Sequence, residues 1–336
     1  MPVGLTYDLR DDYLAEGFGE EETAEFDRPD TIDAIESALR SLGYVTDRIG
    51  HARALVARLA AGDRWDVVFN IAEGMRGVGR ESQVPALLDI YGIPYTFSDP
   101  VVLGISLHKG MTKRVLRDAG LPTPEFVVVE GPEDVAEVRI PPPLFVKPVA
   151  EGTGKGITAS SRIDDAGALA AACRDLIARF RQPVLVERFL PGRELTVGVV
   201  GTGRDAEALG TLEVALLPGA EVQAYSYTNK EHCESLVDYR LVADDAARQA
   251  ESLALAAWRT LGCRDAGRVD LRADERGLLQ ILEVNPLAGL HPAHSDLPIL
   301  CSRIGMAYEV LIDRIMRSAL ARARIEPPAD VAAGRG

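Results

Sequence analysis

The sequence predicts an α/β protein of two or three domains, and three observations carry this prediction. The chain has 336 residues, 47% of them hydrophobic, and one domain takes roughly 150 residues. Apolar runs alternate with amphipathic helical patterns over residues 1–106, which is typical of a parallel sheet. Shorter strands bounded by prolines and then hairpin-like pairs follow, so the architecture changes after residue 106.

The first of these parts opens with a buried strand, predicted from the apolar run at residues 3–7. The spacing of Ile32, Ile35 and Leu39 predicts a helix over residues 31–42, with Asp30 as its N-cap. The same patterns predict strands at 44–49, 66–71 and 92–96, and helices at 51–61 and 82–91.

The remaining parts contain a mixture of helices and short strands. Helices are predicted at 107–119, 164–180, 243–261 and 305–322. Strands are predicted at 125–129, 144–148, 157–161, 183–187, 194–200, 208–216, 267–273 and 278–284, with a long polar loop at 219–236. Residues from 325 onward are poor in large apolar side chains, so we expect a disordered tail.

The charge distribution argues against a nucleic-acid partner. The net charge is −14, whereas proteins that bind a phosphate backbone need a basic face. Residues 8–33 hold eleven acidic residues and two arginines. Such a segment is typically a solvated face. Because it follows the first strand at the carboxyl edge of the sheet, part of it is also a candidate substrate lid.

The compartment is predicted from what the sequence lacks. Its four cysteines form no CxxC pair, which favours reduced thiols. The N-terminus has no basic and apolar signal-peptide pattern, and no run of about 18 apolar residues occurs. We therefore expect a cytoplasmic protein without a membrane partner.

The last two predicted strands carry the strongest candidate site. Arg268 and Asp270 are two residues apart, as are Glu283 and Asn285, so each pair shares one face of its strand. If the two strands pair as a hairpin, Asp270, Glu283 and Asn285 place three side-chain oxygen donors on one face, and such donors suit Mg²⁺. A solvated polar face is the alternative. The opposite face is predicted to hold Val269, Leu271, Leu282 and Val284.

A glycine-rich segment at residues 151–156 follows the strand that ends near Lys147. Backbone amides in such loops cradle phosphates. Glycine residues by themselves more often mark a mobile turn. The chain has only five lysines among 37 basic residues, at positions 109, 113, 147, 155 and 230. Lysine at phosphate-facing positions indicates a need for a compact ammonium group, unless the placement is chance.

In combination, these segments resemble the ATP-grasp fold and, within it, the D-alanine–D-alanine ligase family. The resemblance runs from about residue 64 to 320 through an ordered set of motifs: Lys109, Phe145–Pro148, Glu151–Gly156, Val186–Leu190 with Glu194, Gly267–Asp270 and Leu282–Pro286. It implies a three-domain α/β architecture. The expected parts are an N-terminal parallel α/β domain (1–106), a central α+β subdomain (107–187), a C-terminal α+β metal-binding subdomain (188–324) and a tail (325–336).

The resemblance also implies roles for individual residues. The nucleotide would contact Lys109, Lys147, Thr153, Lys155, Glu187, Arg188, Phe189, Leu190, Glu194 and Leu282. Two Mg²⁺ ions would be held by Asp270, Glu283 and Asn285. Lys230 would reach the γ-phosphate, and Arg268 would stabilise the oxyanion of a tetrahedral intermediate. A homodimer is implied as well.

The activity implied is ATP-dependent ligation of amino-acid-like small molecules. A carboxylate attacks the γ-phosphate to give an acyl phosphate and ADP, and an amine then attacks the acyl group. An ATP-grasp small-molecule kinase remains an alternative, because the sequence does not reveal the amine's site. A non-catalytic nucleotide-binding module is a weaker alternative, since Arg268 has no purpose in merely holding ATP.

The substrate-facing segments depart from the family pattern. Leu5–Arg10 replaces the family's Gly-Gly-x-Ser-x-Glu loop, and Glu73-Gly74 stands where the family has His-Gly. Glu231 replaces the usual tyrosine after Lys230, and residues 285–295 carry an insertion. The predicted substrate residues are Asp8, Glu73, Glu231, Gly289, His291 and Ser295.

These departures put D-alanine itself in doubt as the substrate. Their negative charge favours a substrate with an additional amino group, unless these acids face water at the rim. His291 and His294 form an HxxH pattern, but Pro292 prevents the helical geometry that would bring both rings to one zinc ion.

Overall fold

Residues 1–221 and 227–328 are described by a computed structural model, and they form three β-sheets. The first sheet is parallel, as predicted, with β1 in the middle and the order β2-β1-β3. Its strands are β1 (Pro2–Thr6), β2 (Val45–Gly50) and β3 (Val67–Asn70). The helices around it are α1 (Arg10–Ala15), α2 (Pro29–Ser41), α3 (Ala52–Ala60) and α4 (Gln83–Tyr91).

The second sheet is antiparallel and has the order β4-β7-β5-β6. Two helices precede it, α5 (Pro100–Leu107) and α6 (Lys109–Asp118). The sheet consists of β4 (Phe126–Val129), β5 (Leu144–Pro148), β6 (Arg162–Ile163) and β7 (Val184–Arg188), and it packs against α7 (Ala166–Phe180).

The third sheet is also antiparallel, with the order β10-β9-β8-β11-β12. Its strands are β8 (Glu194–Val200), β9 (Glu207–Leu216), β10 (Val237–Val242), β11 (Ala266–Ala273) and β12 (Leu279–Asn285). The helices of this part are α8 (Tyr227–Glu231), α9 (Cys233–Leu236), α10 (Asp245–Leu261), α11 (Asp296–Arg303) and α12 (Tyr308–Ala323).

Two large apolar cores hold these layers together. α10 buries Trp258 and a row of alanines against β8, β11 and β12. α12 instead returns to the first sheet, where Ile312, Ile315 and Met316 pack with the side chains of β1, β3 and α2. The C-terminal helix therefore completes the core of the N-terminal sheet, which sequence order alone does not indicate.

Several predicted elements are wrong in detail. α2 begins at Pro29 and Arg28 is its N-cap, so Asp30 lies in the first turn and caps nothing with its side chain. The strand predicted at 92–96 is a single parallel bridge between Val68 and Tyr95. The strand predicted at 157–161 is a loop and a 3₁₀ turn, because Thr158 caps Ala159–Ser161.

Other elements were not predicted at all. α5 consists of PVVLGISL, which lacks helical periodicity, but Asp99 caps it through the amides of Val101 and Val102. β10 and α11 also lie outside the predicted elements. Ile325, predicted to open the disordered tail, packs against the first core, while residues 329–336 lie outside the described part.

The β11–β12 hairpin pairs as predicted, with one irregularity. Arg268 lies opposite Asn285, and Asp270 lies opposite Glu283. A bulge between Asp270 and Leu271 leaves Leu282 without a partner in the register. A bulge interrupts the regular alternation of side chains between the two faces of the sheet, so the side chain of the extra residue leaves the face predicted for it. Leu282 therefore borders a cleft rather than the core, contrary to the predicted facing.

Every helix within residues 1–221 and 227–328 is too short or too polar to cross a bilayer.

Candidate active site

A cleft of about 830 Å³ lies between the second and third sheets. It is bordered by the end of β5, the glycine-rich loop, the end of β7 and the hairpin β11–β12. Most of the predicted nucleotide and metal residues border it. The lining includes Lys109, Lys147, Thr153, Lys155, Glu187, Arg188, Phe189, Leu190, Glu194, Lys230, Asp270, Leu282 and Glu283.

Four of the five lysines border this cleft, and the fifth lies behind it. Lys147 ends β5, and its Nζ lies 2.8 Å from the Glu187 carboxylate on β7. Lys113, on α6, contacts the other oxygen of Glu187 at 2.8 Å from a fully buried position. Burial opposes ionisation of Glu187, but the two ammonium groups outweigh it and lower the pKa of this carboxyl group. Glu187 thus orients Lys147.

The glycine-rich loop adopts a conformation that requires glycine. Gly156 has a φ of +73°, and a Cβ there would lie 2.7 Å from the ring of Pro148. Thr153 also has a positive φ. The N–H of Gly152 donates to the Glu25 carboxylate, and Lys155 pairs with Glu25 at 3.3 Å. The acidic N-terminal segment therefore packs directly against this loop.

The hairpin brings Arg268 and its acidic neighbours together. The guanidinium of Arg268 pairs with Asp270 and lies 3.4 Å from the Asp296 carboxylate at the start of α11. The Oγ1 of Thr196 donates to Asp270 at 3.0 Å. Burial raises the pKa of Asp270 to about 6, with Arg268 opposing and Glu283 adding to the shift.

Asp270, Glu283 and Asn285 form one group of hard oxygen donors. Asn285 lies 3.2 Å from Asp270 and 3.5 Å from Glu283, measured from its side-chain amide. Glu283 also lies 3.4 Å from Lys109, and the neighbouring lysines lower its pKa despite burial. Two adjacent carboxylates and an amide are a donor set that fits Mg²⁺.

The end of β7 supplies an aromatic wall to the cleft. The ring of Phe189 lies between two guanidinium groups, with Arg162 4.7 Å and Arg272 5.3 Å from its centroid. Arg272 also pairs with Glu194 at 3.2 Å, which fixes that carboxylate at the cleft edge. Arg188 is exposed and pairs with Glu275.

The predicted substrate residues do not form one cluster. Asp8 accepts from the Gly74 amide at 2.9 Å and from the Tyr13 hydroxyl at 2.5 Å, away from the main cleft. Glu231 pairs with Arg10 at 2.8 Å, so its charge is largely neutralised. Glu231 therefore adds less negative charge around a substrate than the sequence suggested, and Asp8 directs its carboxylate towards Gly74 and Tyr13.

The loop after β12 holds three further predicted residues. Ser295 accepts from the His291 amide at 3.0 Å through its Oγ, and this oxygen lies 2.8 Å from where a Cβ on Gly289 would stand. The His291 ring lies 3.2 Å from Asp30 on α2. The His294 ring is 6.0 Å from that of His291, measured between centroids, and turns towards other partners.

A smaller cavity of about 340 Å³ adjoins the metal-type residues. It is lined by Glu81, Ser106, Lys109 and Asn285 among others. Ser106 is 6% exposed, and its Oγ has no hydrogen-bond partner among the described residues. Glu73 lies next to Glu81, and burial followed by the charges of Glu81 and Glu25 raises the pKa of Glu73.

Sequence reasoning missed several residues of this region. Glu25 and Arg80 form a buried ion pair at 2.6 Å, and Arg80 also donates to the Ala150 carbonyl at 2.7 Å. Lys113 was noted only as one of few lysines. A lysine on the apolar face of a predicted helix is buried, and a buried charge needs a partner of opposite charge. This pattern could have identified Lys113 as a member of a buried ion pair. Nothing local to Glu81 or Asp296 indicates their positions.

Comparison with known proteins decides the family. A model described as the D-ala D-ala ligase C-terminus matches residues 115–317. D-alanine–D-alanine ligase from Bordetella petrii is 35% identical over 290 residues, which cover 85% of this chain and 85% of the relative. The chain belongs to the D-alanine–D-alanine ligase family. Members of this family are ATP-dependent, ADP-forming ligases.

Further relatives agree with this assignment. The D-alanine–D-alanine ligase of Sphingopyxis alaskensis is 35% identical over 294 residues, covering 85% of this chain and 91% of its own. The crystal structure of D-alanine–D-alanine ligase from Bacillus anthracis complexed with ATP has a TM-score of 0.72 at 19% identity. It covers 96% of this chain and 99% of its own, so the family's ATP-grasp fold extends over nearly the whole molecule.

Proposed function

We propose that this ligase joins the carboxylate of one amino-acid-like molecule to the amine of another. The observation that carries the proposal is the position of Arg268. Its guanidinium is buried in the hairpin that also holds Asp270 and Asn285, beside the lysine-lined cleft. A cation in that position suits the stabilisation of charge that develops on a carbonyl oxygen.

The cleft supports the binding of ATP through its cations and apolar walls. In the proposal, Lys109, Lys147 and Lys230 contact the phosphates, and the amides and cations of the loop with Thr153 and Lys155 close over them. The adenosine portion contacts Glu187, Arg188, Phe189, Leu190, Glu194 and Leu282. Asp270, Glu283 and Asn285 hold two Mg²⁺ ions, which neutralise phosphate charge and align the transferred group when bound.

The chemistry proceeds in two steps. An oxygen of the donor carboxylate bonds to the γ-phosphorus, the bond to the β-phosphate oxygen breaks, and ADP leaves with the electron pair. The acceptor's amine then attacks the acyl carbon, inorganic phosphate leaves, and the amine loses a proton. Arg268 stabilises the oxyanion of this second step, and closure of the glycine-rich loop excludes water from the acyl phosphate.

The substrates bind, in this proposal, in the smaller cavity beside Asn285. The partnerless hydroxyl of Ser106 and the carboxylate of Glu81 suit an ammonium group, with the carboxyl group of Glu73 hydrogen-bonded to Glu81 behind it. Relatives are named for D-alanine as substrate. Because Glu231 is paired with Arg10 and Asp8 does not line this cavity, we assign the preference for an additional amino group to Glu81.

The remaining assignments follow from family membership and the thiols. We propose that the protein acts as a homodimer on small molecules, without a nucleic-acid or membrane partner. Four free, buried cysteines support a cytoplasmic location, where thiols stay reduced.

Replacement of Arg268 tests the proposed chemistry. The variant Arg268→Lys keeps a charge but loses the fork geometry, so turnover to condensed product should fall by about 100-fold or more while ATP still binds. Arg240→Lys is the matched control, since Arg240 pairs with Asp238 two residues away on β10 at an exposed site. If Arg268→Lys formed product at the wild-type rate, the role of Arg268 would be refuted.

A further inference from the structure

Three side chains with metal-binding atoms meet outside the cleft. The Sγ of Cys233 lies 3.5 Å from Nδ1 of His294, and the same Nδ1 lies 3.0 Å from the Glu234 carboxylate. One ligand atom from each of the three lies within 4.8 Å of the other two. Cys233 is 2% exposed, whereas Glu234 reaches the surface.

A hydrogen bond to Glu234 accounts for one of the two contacts of the His294 ring nitrogen, and the approach of Cys233 to the same atom is a second feature to be explained. A ring nitrogen carries either one proton or one lone pair, so Nδ1 of His294 does not accept from the Cys233 thiol and donate to the Glu234 carboxylate at the same time. A nucleophile–base–acid relay is also excluded, because a relay uses both ring nitrogens and here both partners face Nδ1. Three donors that approach each other around one point are the arrangement of ligands about an ion.

The S–N distance agrees with a tetrahedral zinc site, and the N–O distance is about 0.3 Å shorter than such a site requires. Zinc bonds of about 2.3 Å to sulfur and about 2.0 to 2.1 Å to nitrogen or oxygen separate S from N by about 3.6 Å, and N from O by about 3.3 Å. The observed separations are 3.5 Å and 3.0 Å. The mixture of thiolate, imidazole and carboxylate is also a zinc ligand set.

We propose that Cys233, Glu234 and His294 bind one Zn²⁺ ion, with water in the fourth position. The thiol proton passes to solvent when the sulfur coordinates. Burial raises the pKa of the metal-free Cys233 thiol, whereas a hydrogen bond from Tyr239 of β10 to the sulfur acts in the opposite direction from outside the ligand set. This pairing differs from the HxxH pattern, because His291 is held by Asp30 and its ring is not part of the group.

The ion would join a segment that borders the main cleft through Lys230 to a loop that borders the smaller cavity through Pro286 and Leu287. Cys233 and Glu234 open α9, three and four residues after Lys230, while His294 precedes α11 in the loop after β12. Zinc therefore fixes the short helices of residues 227–236 to the loop of residues 286–295. The inference concerns binding and stability, and it does not depend on which substrates the enzyme joins.

Cobalt substitution tests the site directly. The metal-free full-length protein is titrated with Co²⁺, and we expect one equivalent to produce a near-ultraviolet sulfur-to-cobalt charge-transfer absorption that Zn²⁺ abolishes and Mg²⁺ does not. His294→Gln and Glu234→Gln should each weaken binding by more than about 100-fold, because even outer partners of metal ligands contribute about 10- to 100-fold. Cys233→Ala should remove the sulfur band.

Matched controls separate the site from general thiol binding. Cys173→Ala removes another buried cysteine, and His232→Gln removes a neighbouring histidine, so both should bind Co²⁺ as the wild type does. Because Cys233 lies in an apolar cluster, Cys233→Ala is first checked for a native thermal transition; the exposed Glu234 offers a second variant. Absence of the sulfur band in the wild type, or its persistence in Cys233→Ala, would overturn the proposal.

Discussion

The ammonium group of Lys113 lies 2.8 Å from the Glu187 carboxylate, and both side chains are almost completely buried. Burial lowers the pKa of Lys113, and Glu187 only partly restores it. Glu187 also contacts Lys147 at 2.8 Å on the cleft side. Lys113 therefore neutralises Glu187 from behind, which leaves the charge of Lys147 available to a phosphate.

Replacing Lys113 by Met should destabilise the protein and weaken ATP binding. Removal of Lys113 breaks one contact of a buried ion-pair group and leaves Glu187 with Lys147 alone, a loss of up to about 3 to 5 kcal/mol. The free energy of unfolding, measured by urea denaturation, should fall by that amount. Arg248→Met is the control, because Arg248 and Asp245 form an exposed pair worth at most about 1 kcal/mol. Equal losses in the two variants would contradict this role of Lys113.

Because Asp27 has a raised pKa, we expect the free energy of unfolding to decrease as the pH rises. Burial, followed by the charges of Asp8 and Asp30, raises the pKa of Asp27 from 3.8 to about 8. The native state thus binds this proton more tightly than the unfolded state, so the free energy of unfolding falls as the pH rises from about 4 to 8.

The variant Asp27→Asn has no proton to lose and should remove this part of the pH dependence. At pH 8 it should be more stable than the wild type, and at pH 4 the two should be equal. Thermal unfolding across this pH range provides the measurement, with the exposed Asp11→Asn as control. An unchanged slope in Asp27→Asn would show that Asp27 does not titrate there.

Because Glu81 has a raised pKa, we expect substrate binding to depend on pH near neutrality. Burial and the charge of Glu25 raise the pKa of Glu81 to about 7, although Arg80 opposes them. If Glu81 contacts a substrate ammonium group, the KM for that substrate should rise below pH 7, because the protonated carboxyl group carries no charge.

The variant Glu81→Gln should raise this KM about 10- to 100-fold, the value of a hydrogen bond to a charged group, and abolish its pH dependence. The KM for ATP should not change. Glu137→Gln, at an exposed position between β4 and β5, is the control. A KM for amino acids that is unaffected in Glu81→Gln would exclude Glu81 from the substrate site.

Local patterns were sufficient to predict the hairpin that carries Arg268 and Asp270. Residues two apart on a strand share a face, and the hairpin places Asp270 opposite Glu283, a register that was not predicted. The facing of Leu282 was wrong because a bulge interrupts the alternation, and no residue pattern announces it. α5 was missed since its apolar sequence lacks periodicity, although Asp99-Pro100 is a recognisable helix start.

Contacts between segments that are distant in the chain could not be predicted from the sequence. Glu25 reaches Gly152 across 127 positions, and Arg10 reaches Glu231 across 221. The acidic count of residues 8–33 predicts a solvated face as readily as a lid, because charge alone does not specify a partner. Only the folded arrangement reveals that Glu25 contacts Lys155 while Asp8 contacts Gly74.

The most direct test measures phosphate release from ATP and Mg²⁺ across pools of L- and D-amino acids, with mass spectrometry of every active pool. We predict ADP, inorganic phosphate and a condensed product in equal amounts, with highest activity in pools whose members carry an additional amino group. ADP formed together with a stable phosphorylated small molecule, and no condensed product, would contradict ligation and support a kinase.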